Sequence, residues 1–261
     1  MPEWDSDRGG GAGLVSNTDM MNVAAARELK DGDVCLVGVG PPNLAANLAR
    51  RTHAPNCRLV YESGAIDAKP KRLPLSIGDD DLAATAVAVV SVPEMFNFWV
   101  GAGRIDVGFL GAAQIDRFGN INTTVIGDHA EPRTRLPGAG GAPEIAAAAG
   151  RVIVIVKQSP RTFVEQVDFV SSVGYGPTGR EREAPGAGPT LVITDHGVLE
   201  PDPQTNELTM TRLHQGVTVE AARAATGWDL KVADGIKGVP PPTEAELTAL
   251  RQLRDREPVD A

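Results

Sequence analysis

The feature that most constrains the fold is a series of short, mostly apolar runs that alternate with helical stretches. The runs interpreted as strands occupy residues 34–40, 58–61, 86–91, 105–110, 151–157, 190–194 and 207–212. Most of them lack the apolar–polar alternation of a half-exposed strand, so burial of both faces is expected. Because helical stretches separate several of the runs, the pattern predicts an α/β protein with an open parallel or mixed β-sheet flanked by helices.

Helices are predicted at residues 19–30, 42–51, 93–100, 144–149, 219–225 and 243–254. Asn17 or Thr18 is expected to cap the first helix, because a side-chain oxygen there accepts a hydrogen bond from a free backbone N–H group. Residues 1–16 are polar and glycine-rich, and they are interpreted as a flexible N-terminal arm. Residues 17–261 are expected to form a single domain, since a chain of 261 residues is long enough to bury a substantial core.

Charge and composition argue against several classes of function. The chain has 25 Lys and Arg residues against 34 Asp and Glu residues, a net charge of −9, whereas nucleic-acid-binding proteins usually present a basic face. Its apolar runs are shorter than the roughly 20 residues that cross a membrane. The acidic N-terminus lacks the apolar segment of a signal peptide. The expectation is a cytoplasmic protein without a nucleic-acid or membrane partner.

The cysteine and histidine residues give no indication of a metal site. Cys35 and Cys57 belong to no CxxC pair, so neither a zinc site nor a disulfide framework is expected. The four histidines lack the spacing of a metal site or of a Ser/His/Asp hydrolase. The turn at residues 38–40 is followed by Asn43 where a dinucleotide-binding motif has its third glycine, which favours a tight turn over a nucleotide site.

Glu62 is the most informative single residue. It follows the apolar run at 58–61 and precedes Ser63 and Gly64. In open α/β sheets, ligands bind beyond the carboxyl ends of the strands, and a carboxylate held there can act as a nucleophile or a base. A helix-capping or salt-bridging glutamate would occupy the same position, and position alone does not separate the two interpretations.

Two further segments are candidates for substrate binding. The glycine-rich loop at residues 138–142 precedes a predicted helix, and its backbone N–H groups could converge on an anion; a sharp turn made for packing is the alternative. Residues 111–124 are dense in side-chain amides, among them Gln114 and Asn120. Amides orient carboxylate substrates, but Asn and Asp also favour turns in which they bond to nearby backbone.

Five segments, taken in order, carry a family resemblance. They are Val-Gly-Val-Gly-Pro-Pro at 37–42, Tyr-Glu-Ser-Gly at 61–64, Leu-Pro-Leu-Ser-Ile-Gly-Asp at 73–79, Gly-Ala-Ala-Gln-Ile-Asp-Arg-Phe-Gly-Asn-Ile-Asn at 111–122 and Pro-Gly-Ala-Gly-Gly-Ala at 137–142. Together they resemble the β subunit of family I CoA-transferases, over residues 17–255. The likeness is strongest to the branch that acts on 3-oxoadipate, and the branch that acts on glutaconate is more distant.

The resemblance implies covalent catalysis by Glu62. In this family the glutamate of the Glu-Ser-Gly motif attacks the thioester of succinyl-CoA, and a glutamyl-CoA thioester forms as succinate leaves. The acceptor, implied to be 3-oxoadipate from the breakdown of aromatic compounds, reverses these steps. Gly140 and Gly141 would stabilise the oxyanion intermediates, with Gln114 and Asn120 as further substrate-binding residues. The resemblance implies no permanently bound cofactor or metal, since the CoA thioester is itself a substrate.

The same resemblance implies an α-subunit partner, in an α2β2 assembly whose active site lies at the junction of the subunits. Three alternatives stay open: CoA transfer to another dicarboxylate such as glutaconate, hydrolysis of a CoA thioester on the same fold, and a non-catalytic scaffolding role. Related chains that cleave carbon–carbon bonds of ring-derived CoA thioesters lack the glutamate, so Glu62 argues for transfer.

Overall fold

The computed structural model describes residues 15–179 and 184–254. Its strands, in chain order, are Val34–Leu36 (β1), Arg58–Val60 (β2), Ala65–Ile66 (β3), Ala88–Val89 (β4), Val107–Leu110 (β5), Gln114–Ile115 (β6), Ile121–Asn122 (β7), Val125–Ile126 (β8), Thr134–Arg135 (β9), Arg151–Ile155 (β10), Pro189–Ile193 (β11), Gly197–Pro201 (β12), Leu208–Leu213 (β13) and Lys231–Gly238 (β14). Its helices are Asn17–Arg27 (α1), Pro41–Arg51 (α2), Asp80–Thr85 (α3), Val92–Glu94 (α4), Ala142–Ala148 (α5), Val219–Ala224 (α6) and Glu244–Arg254 (α7), and a π-helix at Met95–Val100 directly continues α4. The predicted arm at residues 1–16 lies outside the described residues except for its last two.

Ten strands form one mixed sheet in the order β14-β13-β12-β11-β10-β5-β1-β2-β3-β4. Its centre, from β11 through β10, β5 and β1 to β2, is parallel. The pairs β11–β12, β12–β13, β2–β3 and β3–β4 are antiparallel, and β14 returns parallel to β13. The predicted α/β class with a mixed sheet is confirmed. The carboxyl ends of β1, β2, β5 and β10 lie at the same edge, which is where open α/β sheets bind ligands.

Separate hydrophobic clusters cover the two faces of the sheet. Successive side chains of a strand point to opposite faces, so Ile153 and Ile155 of β10 join one cluster while Val152 and Val154 join the other. The first cluster includes the buried faces of α1, α2 and α7, and the second includes residues of the π-helix, α5 and α6. The predicted burial of both faces of the central strands is therefore confirmed.

The first helix begins earlier than the sequence pattern predicts. Ser16 caps α1, since its hydroxyl oxygen accepts a hydrogen bond from a backbone N–H of the first turn at 3.1 Å. The prediction of Asn17 or Thr18 as the cap is wrong, because Ser16 has the extended backbone that directs a capping side chain towards the helix. At the other end of the chain, α7 has a reciprocal cap: the N–H of Glu246 donates to Thr243 Oγ1 at 3.2 Å, and the N–H of Thr243 donates to the Glu246 carboxylate at 2.7 Å.

Several elements differ from their predicted extents. The predicted strand at 86–91 is reduced to the two residues of β4, and the predicted helix at 93–100 changes to π geometry after its first turn. The sequence patterns did not predict β3, β12 or β14: β3 has only two residues, and most side chains of β14 are exposed or half-buried. Among the residues that the structure describes, none of the helices has the length and apolarity needed to cross a membrane.

Candidate active site

Glu62 lies in a tight turn at the carboxyl end of β2. The N–H of Gly64 donates to the carbonyl of Tyr61 at 2.9 Å and closes the turn, while the N–H of Tyr61 donates to the carbonyl of Ala65 at 3.0 Å. Gly64 has a φ of +102°, which favours glycine, and a Cβ there would overlap the carbonyl oxygen of Val90. Glycine at this position therefore allows the chain to reverse immediately, leaving the Glu62 carboxylate at the end of the strand.

The glycine loop meets Glu62 at Gly141. This glycine is the residue before α5, and an ideal Cβ built on it would lie 3.2 Å from the carboxyl carbon, Cδ, of Glu62. The same Cβ would lie 2.6 Å from Cε1 of Phe96, so the carboxyl group, the aromatic edge and the loop backbone converge on one point. A side chain at this position would have to displace the ring or the carboxyl group, so glycine permits the closest approach. Gly140 differs, because it has a φ of +53° and open space where a Cβ would be.

Two consecutive backbone donors of this loop have no partner among the described residues. Within residues 15–179 and 184–254, the N–H groups of Gly140 and Gly141 make no hydrogen bond to the chain. The donors that follow are used: the N–H of Ala142 donates to the carbonyl of Ala139 at 3.1 Å, and that of Ile145 donates to the carbonyl of Gly141 at 3.1 Å. Unbonded N–H groups in a loop that Glu62 approaches are potential donors to an oxyanion.

Two effects raise the pKa of Glu62 above its ordinary value. The larger effect is burial, because a partly buried carboxylate loses solvation when it ionises. The smaller effect is the like charge of Glu144, which lies in the first turn of α5. A carboxylate with a raised pKa is more basic than one in water, and this environment therefore favours covalent or acid–base chemistry at Glu62.

The structure places Gln114 and Asn120 in hydrogen-bond networks of their own. The Gln114 amide donates to the Asp168 carboxylate at 3.2 Å and accepts from the Asn122 amide at 2.7 Å. Asn120 donates to the Asp116 carboxylate at 2.9 Å and accepts from a backbone N–H group at 3.0 Å. These bonds are of the kind expected from turn-forming amides, and none of them involves Glu62. A role of either amide in binding substrate stays a prediction.

Phe96 and Glu144 are the site residues that the sequence patterns did not single out. Phe96 lies in the predicted helix at 93–100, where an apolar residue is most simply interpreted as part of the core. Glu144 is an acidic residue in the first turn of a helix, which is a common location for one. Both reach Glu62 only through the tertiary structure, so no local pattern could have identified them.

The fold and this site define a class of protein: an α/β chain that presents a partly buried carboxylate on a glycine turn, against a glycine loop, at the carboxyl edge of a parallel sheet. Residues 18–225 match the family model described as Coenzyme A transferase. The chain therefore belongs to this family of CoA-transferases.

The relatives agree with this assignment over almost the whole chain. The chain is 57% identical to the B subunit of 3-oxoadipate CoA-transferase of Pseudomonas knackmussii, over 92% of this chain and 94% of that protein. It is 35% identical to the B subunit of glutaconate CoA-transferase of Acidaminococcus fermentans, over 92% of each. The crystal structure of the latter enzyme superposes with a TM-score of 0.83, at 34% identity, over 91% of this chain and 94% of that one.

A more distant relative has a different activity in its name. The cholesterol ring-cleaving hydrolase IpdB subunit of Mycobacterium tuberculosis is 25% identical over 94% of this chain and 99% of that protein. The fold alone therefore does not separate transfer from hydrolysis, and the chemistry of the site has to distinguish them.

Proposed function

We propose that this chain is the β subunit of an enzyme that moves CoA from succinyl-CoA to 3-oxoadipate, through a glutamyl-CoA thioester on Glu62. The observation that carries the proposal is the approach of the Glu62 carboxyl carbon to the glycine loop, where a Cβ built on Gly141 would lie 3.2 Å from that carbon. A carboxyl group whose pKa is raised by burial therefore lies next to a loop with unbonded N–H donors, an arrangement that suits covalent acyl chemistry. The choice of 3-oxoadipate is supported by the 57% identity to a relative with that substrate in its name.

The proposed reaction begins with attack of the ionised Glu62 carboxylate on the thioester carbonyl of succinyl-CoA. The C–S bond breaks, CoA leaves as the thiolate, and a mixed anhydride joins Glu62 to the succinyl group. The thiolate then attacks Cδ of Glu62, the anhydride C–O bond breaks, and succinate leaves. The acceptor carboxylate displaces the thiolate from Cδ, and the thiolate attacks the acceptor's acyl carbonyl, which releases Glu62 and the new thioester.

Each step of this sequence passes through a tetrahedral oxyanion. The N–H groups of Gly140 and Gly141 are the donors that we assign to the oxyanion formed at Cδ of Glu62, because a Cβ on Gly141 would lie 3.2 Å from that atom. Loss of one such donor typically reduces a rate by about 10²–10³. The thioester energy passes from one acyl group to the next, so the sequence of steps consumes no ATP, and CoA enters as a substrate rather than as a bound cofactor.

We further propose an α-subunit partner in an α2β2 assembly. The two relatives of highest identity described above are both named as the B subunit of their enzyme. The edge strand β4 supports a contact near the site, because Val87 and Val89 are 74% and 58% exposed and the N–H of Val90 donates to the carbonyl of Gly64 at 3.0 Å. An apolar sheet edge that begins beside the Glu62 turn is suited to burial against a second subunit.

We also propose a cytoplasmic location, with which the free Cys35 and Cys57 agree.

The test is mass spectrometry of the chain purified with its α subunit and incubated with succinyl-CoA. We expect a CoA adduct on the peptide that contains Glu62, and its discharge by 3-oxoadipate with 3-oxoadipyl-CoA as product. Glu62→Ala should abolish both without loss of assembly. Glu244→Ala is the matched control, because the Glu244 side chain is 89% exposed, and it should behave as wild type.

Other outcomes of this experiment would replace the proposal. An adduct that glutaconate discharges and 3-oxoadipate does not would keep the mechanism and change the acceptor, in line with the 35% identity to the glutaconate enzyme. Free CoA accumulating without an acceptor, and without an adduct, would indicate a hydrolase. Full activity of Glu62→Ala would rule out Glu62 as the nucleophile.

A further inference from the structure

Phe96 occupies an unusual position beside the candidate nucleophile. An ideal Cβ on Gly141 would lie 2.6 Å from Phe96 Cε1 and 3.2 Å from Glu62 Cδ, and it would also overlap Cζ of the same ring. The edge of the phenyl ring therefore approaches the same loop backbone as the carboxyl carbon. The ring is half-buried, and it packs against the cluster that contains Met95 and Val100.

The backbone of Phe96 is held by a π-helical hydrogen bond. Its carbonyl accepts from the N–H of Gly101, five residues further along, at 2.8 Å. The N–H of Arg104 donates to the carbonyl of Trp99 in the same pattern, at 2.9 Å. Single π-turns occur frequently at functional sites, where the wider turn directs a side chain differently from an α-helix. Here the segment supports an aromatic ring against the glycine loop.

We infer that Phe96 protects the glutamyl-CoA thioester from water and so directs the enzyme towards transfer rather than hydrolysis. The inference rests on the proposed covalent role of Glu62. Cδ of Glu62 is the carbonyl carbon of that thioester, and it and the edge of the ring lie 3.2 Å and 2.6 Å from the same point, the position of a Cβ on Gly141. Hydrolysis would form a bond from a water oxygen to Cδ, break the C–S bond and transfer a proton to the CoA thiolate. The products would be CoA thiol and free Glu62, with the thioester energy lost.

The environment of Glu62 supports this assignment. Burial is the larger of the two effects that raise the pKa of Glu62, and an apolar ring edge is the kind of neighbour that removes solvent from a carboxylate. Exclusion of water from an active site prevents hydrolysis of reactive intermediates. The charged group that acts on Glu62 is Glu144 of α5. Its negative charge repels the Glu62 carboxylate, but it does not keep water away from Cδ.

The experiment compares four forms of the αβ complex: wild type, Phe96→Ala, Phe96→Leu and Phe169→Ala. Phe169 is also half-buried, but its ring stacks on His129 at 5.1 Å, so it is a matched control of the same residue type. Each complex is loaded with succinyl-CoA, freed of excess reagent and left without acceptor. Mass spectrometry then follows the lifetime of the CoA adduct on the Glu62 peptide, and the yields of CoA and of acceptor thioester are measured separately.

We expect the adduct of Phe96→Ala to decay at least about tenfold faster than that of wild type, which corresponds to roughly 1.4 kcal/mol of barrier. Phe96→Leu keeps apolar volume and should fall between the two, and Phe169→Ala should match wild type. The low-pH limb of the rate profile of Phe96→Ala should also move to lower pH, a change that a purely structural role would not cause.

Equal adduct lifetimes in wild type and Phe96→Ala would overturn the inference while leaving the proposed function intact. Absence of any adduct in wild type would instead remove the proposed function and this inference with it. Should Phe96→Ala fail to assemble, Phe96→Leu tests the inference in its place. If Phe96→Leu has the adduct lifetime of wild type but transfers CoA slowly, Phe96 positions the substrate and does not exclude water.

Discussion

Replacing Gly141 with alanine is the sharpest test of the site geometry. The new Cβ would lie 2.6 Å from Phe96 Cε1 and 3.2 Å from Glu62 Cδ, whereas carbon atoms in favourable contact are about 3.5–4.0 Å apart. The phenyl ring would have to move by roughly 1 Å, and the carboxyl carbon by a few tenths. The φ of Gly141 is −85°, so alanine adds no backbone strain and the disturbance stays local to the site.

The two consequences of this change differ in size. Overpacking costs roughly 1–3 kcal/mol, and a half-buried ring with room to move should place Gly141→Ala near the lower value. A misplacement of about 1 Å at a reacting group can reduce a rate about 10²-fold. We therefore expect a loss of kcat of about 100-fold with a fall in melting temperature of only about 2–4 °C.

Two other glycines provide the controls, in an assay of CoA transfer alongside thermal unfolding of the αβ complex. Gly140→Ala meets no atom but has to adopt a φ of +53°, which costs about 1–2 kcal/mol, so its stability should fall more than that of Gly141→Ala and its rate less. Gly238→Ala has open space and no positive φ, and it should be neutral. Wild-type turnover in Gly141→Ala would refute the placement of the reacting carboxyl group against this loop.

Three further changes test the electrostatics and the amide network. Glu144→Gln removes a like charge and lowers the pKa of Glu62, so activity should persist to lower pH; an unmoved low-pH limb in the rate profile would contradict this. The folded-state pKa of Glu62 is raised, so its ionised form reduces stability at neutral pH. Glu62→Gln should then raise the melting temperature at neutral pH, with the gain vanishing as the pH falls below the ordinary glutamate pKa, and a destabilised Glu62→Gln at neutral pH would show the sign to be wrong. Asn120→Ala removes a donor from the buried Asp116 carboxylate and should cost about 1–3 kcal/mol in thermal unfolding; unchanged stability with a raised KM would instead favour substrate binding by Asn120.

The centre of the fold could be predicted because its strands are buried on both faces. The runs that became β1, β5, β10 and β11 are apolar at almost every position, and in a chain with intervening helices this pattern is typical of strands covered on both sides. The edges of the sheet lacked this signal. β14 has largely exposed side chains and contains Asp234 and Gly235, residue types that are depleted in strands. Its pairing with β13 is set by tertiary contacts that no local pattern encodes.

At the site, too, features set by local sequence could be predicted and features set by tertiary contacts could not. Glu62 could be identified because strand ends are local features, and the ends of parallel strands are where ligands bind. The glycine loop could be identified because glycine is informative wherever backbone must approach closely. The contribution of Phe96 could not be identified, since it depends on the tertiary structure that brings the π-helix next to the glycine loop. For Gln114 and Asn120 the sequence indicated suitable chemistry, but the structure shows both side chains hydrogen-bonded to nearby carboxylates and not to Glu62.

Two glycines lie beside Glu62, and their intolerance of a side chain has different causes. At Gly64 a Cβ would overlap the carbonyl oxygen of Val90 and lie 2.9 Å from its carbonyl carbon, and the φ is +102°. Both obstacles are backbone, which no rotamer change can relieve. At Gly141 the obstacles are the ends of two side chains, Phe96 and Glu62. Gly64→Ala should therefore disrupt the β2–β3–β4 edge and the fold with it, whereas Gly141→Ala should spare the fold and impair the chemistry. Glu62 is thus positioned by a rigid backbone turn, whereas its neighbour at the glycine loop is a movable side chain, Phe96.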